Sequence, residues 1–75
     1  MSAFLNNNQV ELGNVFTAVN YKGETVVRRL IGGTYGTVTK FFLIDPVTSE
    51  LKSRKRDTQE EVLEGFDILA VQAVE

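Results

Sequence analysis

Residues 25–44 read TVVRRLIGGTYGTVTKFFLI, and the way this stretch divides decides the fold. Thr37 to Ile44 is β-branched and aromatic throughout and is the strongest strand signal in the chain. Thr25 to Ile31 is a second run dense in β-branched residues, with a period of two. Between them Gly32, Gly33 and Gly36 place three glycines in five residues. The stretch GGTYG therefore reads as a loop that ends one strand and starts the next.

Outward from this pair the same strand signals recur. Towards the N-terminus, Val10, Leu12, Phe16 and Ala18 alternate with Val15, Val19 and Tyr21, with a bulge expected at Gly13-Asn14. Asn20 to Glu24 then forms a turn in which Gly23 supplies a positive φ. Residues 1–9, Asn-rich with only Phe4 and Leu5 as anchors, read as a flexible N-terminal arm on a single β-rich domain spanning 10–75.

Towards the C-terminus, Asp45 to Ser49 makes a turn around Pro46. ELKSRKR, residues 50–56, follows as a polar strand blunting a sheet edge with cations. Thr58-Gln59-Glu60-Glu61 matches a capping box, and Val62, Leu63 and Phe66 form the buried stripe of a helix of about two turns that Gly65 ends. Asp67 to Val74 closes the domain as a strand.

Four meandering strands, a helical turn and a fifth strand resemble, in element order alone, an SH3-like small barrel. The expectation is a mainly β, five-stranded antiparallel barrel or meander with one short helix before the last strand. An open α+β sheet with the helix on one face is the alternative.

Composition removes several kinds of chemistry. The 75 residues include no Cys and no His, so there is no disulfide, no thiolate nucleophile, and neither the usual general base nor the commonest neutral metal ligand. Glu60 and Glu61 are accounted for by capping. The chain reads as non-catalytic, with no metal and no cofactor. No apolar run reaches the roughly 18 residues of a membrane span, and MSAFLNNNQ lacks the basic start of a signal peptide, so the cytoplasm is the expected location.

The net charge of −2 hides an asymmetry. Residues 1–56 carry all eight Lys and Arg against Glu11, Glu24, Asp45 and Glu50, a net of +4; residues 57–75 carry six carboxylates and no base, a net of −6. Lys52, Arg54 and Arg56 would share one face of the basic strand at a spacing of about 6.6 Å, near that of phosphates on a nucleic acid strand. Arg28 and Arg29 could extend that patch, and Tyr35, at the tip of the glycine loop, could stack on a base or a protein partner. The acidic C-terminal quarter opposes nucleic-acid binding, and edge protection explains the same cations without any ligand.

Phe41-Phe42-Leu43-Ile44 and Ile68-Leu69-Ala70-Val71 are apolar at consecutive positions, so each strand presents apolar side chains on both faces. A domain of this size, without disulfides or metal, has more such surface than one small core can hide, and a second copy is the economical cover. Phe41, Phe42, Ile68 and Leu69 are therefore the expected oligomer interface, with Arg28, Arg29, Tyr35, Lys52, Arg54 and Arg56 meeting a partner.

The functional expectation is a small self-associating protein-binding module: an inhibitor, adaptor or assembly factor of the accessory kind found in phages and mobile elements. A nucleic-acid-binding barrel using residues 52–56 is the alternative. A binder of an anionic small ligand at a subunit cleft is the second.

Overall fold

A computed structural model describes residues 10–72, so the expected arm at 1–9 and the end of the last expected strand lie outside the described residues. The elements are β1 (Val15–Val19), β2 (Thr25–Tyr35), β3 (Val38–Ile44), α1 (Gln59–Leu63) and β4 (Asp67–Gln72). The strands form one antiparallel sheet in the order β3-β2-β1-β4. This corrects the expected barrel: the sheet is open and has four strands, not five. The element lost is the basic strand. Residues 50–56 lie along the outer edge of β3 but join it only at two isolated bridges, Ile44 with Leu51 and Phe41 with Arg56.

The glycine loop is the second correction. β2 runs through Gly32 and Gly33 to Tyr35, and the chain reverses only at Gly36-Thr37. Gly36 has φ 66° while Thr37 does not enter the left-handed region, the pattern of a two-residue type II′ hairpin. Gly32 serves close packing within the strand: a Cβ there would sit 3.2 Å from Leu12 and 3.3 Å from the Phe41 ring. At Gly33 the Tyr35 ring lies back along the strand, 3.4 Å from where a Cβ would stand, an ordinary contact distance.

The expected bulge forms. The Gly13 amide donates to the Leu30 carbonyl at 2.7 Å and Leu30 donates to Asn14 at 3.2 Å, so two residues oppose one. Gly13, at φ 86°, supplies the left-handed conformation that this bulge needs. The helix begins as expected, with the Glu61 amide donating to Thr58 Oγ1 at 3.2 Å. The Glu61 carboxylate differs from the expected box. It accepts the Thr58 hydroxyl at 3.1 Å rather than the Thr58 backbone amide.

Opposed residues of antiparallel strands share a face, which sorts the sheet cleanly. Phe16, Ala18, Leu30, Leu43 and Ile68 face α1 and are buried with Val10, Val62 and Leu63. The Phe66 ring meets Phe16 edge to face at 6.4 Å between centroids. On the other face stand Val15, Val19, Val27, Ile31, Phe42 and Ile44, none of them buried.

The two faces should answer differently to truncation. Phe16→Ala, removing a ring that is 1% exposed, is expected to cost about 3–5 kcal/mol, enough to unfold much of the population. Phe42→Ala should cost less than half as much. Urea titration monitored by circular dichroism compares the two, and equal losses would mean that the second face is not open.

Candidate functional site

The basic segment is held at the β3 edge by a substitution in the ladder. Lys52 donates its amide to the Leu43 carbonyl at 2.8 Å, but the Leu43 amide donates to the Ser53 side-chain hydroxyl at 2.8 Å instead of to a backbone carbonyl. Regular exchange resumes only at Arg56, whose amide and carbonyl both bond Phe41. Between Leu43 and Phe41 the chain thus spends extra residues, and it bows away from the sheet.

Lys52, Arg54 and Arg56 nevertheless line one cleft of about 410 Å³, together with Ser53, which strand alternation would have set on the opposite face. Its other walls are Tyr21 from the β1–β2 hairpin and Glu61, Glu64 and Phe66 from the helical region. The cleft is mixed in charge, since carboxylates stand among the cations, and Lys52 is paired with Glu50 at 3.1 Å.

The remaining expected contact residues do not join this cleft. Arg28 turns its guanidinium onto the Val27 carbonyl at 2.8 Å. Arg29 lies on the open face, opposite Val15 and Ile44. Tyr35 sits at the end of β2, with the Lys55 ammonium 4.7 Å from its ring centroid and 5.8 Å from that of Phe42. Lys40, on the same face, pairs with Asp57.

The four residues expected at an oligomer interface also separate. Ile68 is wholly inside the core, and Phe41, partly buried, packs against that core. Phe42 is half-buried on the open face. Leu69 is the extra residue of a bulge in β4 and is exposed.

Three positions matter more than their sequence signals suggested. Val27 and Val38, 43% and 47% exposed, extend the open apolar face, and their in-strand alternation with Val26 and Thr39 was the readable cue. Tyr21, 83% exposed, walls the cleft; an aromatic inside a turn of Asn, Lys and Gly was the signal for it. Among the described residues no group of carboxylates could hold a metal ion, and no helix is long and apolar enough to cross a membrane.

Asp45 organises the turn that leads into the basic segment. Its Oδ1 accepts the amides of Val47 at 2.8 Å and Thr48 at 3.1 Å. These bonds, Thr48 first and then Val47, hold its carboxyl below the ordinary 3.8 against the opposing effect of desolvation, with lesser help from the charges of Lys52 and Arg28. A lowered folded value means that the stabilisation is present above the unfolded value and is lost as pH falls through the folded one. Asp45→Asn keeps an acceptor without the charge. Its melting temperature is expected to lie below that of the wild type at neutral pH and to converge with it well below pH 3.8.

Ser53→Ala leaves the Leu43 amide without its acceptor and should cost about 1–3 kcal/mol by urea titration, whereas Ser53→Thr, keeping the hydroxyl, should cost less. A neutral Ser53→Ala would remove this bond from the account of the edge. Comparison with protein-family models, curated proteins and solved structures finds no match to this chain.

Proposed function

We propose that the chain is a small, non-catalytic, cytoplasmic protein-binding module that self-associates and works by macromolecular contact, as an inhibitor, adaptor or assembly factor. One observation carries the reading. Among the described residues, one face of the sheet, with Val19, Val27, Ile31, Val38, Phe42 and Ile44 on it, contains no buried residue. Exposed contiguous apolar surface on a small domain marks a contact site. Arg29, Lys40 and Lys55 stand among these side chains, so the partner that fits is a protein surface offering apolar side chains with carboxylates around them.

Nucleic acid is the weaker reading, because the cations that would hold phosphate are interleaved with carboxylates. Counterion release needs a dense positive face, and Glu50, Glu61 and Glu64 interrupt this one.

Two measurements test the proposal. In fluorescence polarisation with mixed DNA and RNA at about 50 mM salt, no binding is expected. Tight binding that falls steeply with salt and is lost in Arg54→Ala/Arg56→Ala would replace the proposal with the nucleic-acid reading. In affinity capture from the source cells, a protein retained by the wild type should be released by Val38→Asp/Phe42→Asp. Identical capture by the two forms would show that the open face is not the contact surface.

A further inference from the structure

We propose that two copies of this chain join edge to edge through β4, antiparallel about a two-fold axis, into one continuous sheet. The inference rests on the self-association in the proposed function and gives it a geometry.

The two edges of the sheet are built differently. Outside β3 run residues 50–56, with Ser53 turned into the ladder and Lys52, Arg54, Lys55 and Arg56 close behind it. That combination of bulging and cations is how an edge is closed to other strands. Among the described residues β4 pairs with β1 alone, and its other side meets no strand. DILAVQ contains no Lys, Arg or Pro, and its one irregularity is the bulge at Leu69.

Hydrogen-bond alternation identifies the free groups. The ladder between β1 and β2 opens with Asn20 donating to Glu24 and continues past the other end with Leu30 donating to Asn14. Phe16 and Ala18 therefore turn their amides and carbonyls to β2, while Val15, Thr17 and Val19 turn theirs to Gln72, Ala70 and Asp67 of β4. The backbone groups of Val71 and of the Ile68–Leu69 step are left pointing outward.

A second copy fits these groups because the arrangement is self-complementary. When Val71 lies opposite Ile68 of the second copy, Ile68 lies opposite Val71 in return, so outward groups meet outward groups at both places. The same register sets Asp67 against Gln72, and no like charges oppose each other. The acidic helix does not interfere. α1 packs against β3, at the far side of the sheet, so the two helices would be separated by seven strand spacings, roughly 34 Å, several times the ~8 Å Debye length.

Pairing β4 with residues 50–56 of another copy would match acid with base, but it would ask a bowed segment, attached at two bridges, to act as a ladder partner.

Sedimentation velocity and amide hydrogen exchange of the full chain, from nanomolar to high micromolar concentration, test the join. The expected result is a monomer–dimer equilibrium that stops at the dimer, with Val71 amide exchange slowed about tenfold or more in the dimer. Leu69→Lys should weaken the dimer by about tenfold and restore fast exchange at Val71. Ala70→Lys serves the same purpose if the first variant does not fold, and Phe42→Lys should change neither reading.

A dimer with an unprotected Val71 amide, or one lost only in Phe42→Lys, overturns edge pairing and leaves self-association standing. Growth beyond the dimer overturns the two-fold in favour of head-to-tail edges. A chain that stays monomeric at every concentration removes both.

Discussion

The domain depends on the layer where Phe16, Leu30, Leu43 and Ile68 meet Val62 and Leu63. A helix of five residues does not persist alone, because nucleation consumes most of the hydrogen bonds that such a length can make. It exists because the sheet offers it an apolar floor and Thr58 caps its first turn. The sheet in turn lacks stability until something covers that floor. The two are mutually conditional, and the cover available is one short helix, Val10 and Phe66, which suffices for a single face.

From that limit the rest of the surface follows. β-strands apolar at consecutive positions belong in sheets covered on both sides, and this sheet is covered on one. The chain partly manages the excess itself. Tyr35 lies over Gly33, and the Lys55 ammonium caps the Tyr35 and Phe42 rings, keeping aromatic surface in contact with a solvated charge. Among the described residues nothing comparable covers Val27 or Val38, and these are the places where an outside surface gains most by docking.

Much of this was legible in the residues. The alternation of Phe16 with Ala18, the bulge at Gly13-Asn14, the turn at Asn20–Glu24 and the Thr58 cap are local patterns with local causes, and each forms as its chemistry dictates. Two features were misread because their causes are not local. Gly32 and Gly33 look like a loop until Leu12 and Phe41 are seen to crowd the space a Gly32 side chain would need and Gly33 is seen paired with Lys40 in the ladder. ELKSRKR has the period of a strand, yet whether it pairs depends on Ser53 reaching Leu43 across ten positions of sequence, which no window of that segment encodes. The candidate site divided for the same reason. Lys52, Arg54 and Arg56 meet in one cleft although residues 50–56 are not a ladder strand, and Ser53 lines it with them; Arg28 and Arg29, adjacent in β2, take opposite faces by alternation, and the register against β1 and β3 decides which face each takes.

Folding brings the basic and acidic stretches of the chain together. Lys40 of β3 pairs with Asp57, and the cations of residues 52–56 share their cleft with the carboxylates of the helix, so the basic and acidic stretches are folded against each other. With both signs standing in that cleft, it does not focus a field of one sign on a ligand. Contact must then be secured at short range, by apolar area and by backbone hydrogen bonds. Those are the two resources that the described residues leave uncommitted: the first on the open face of the sheet, the second along the outer edge of β4.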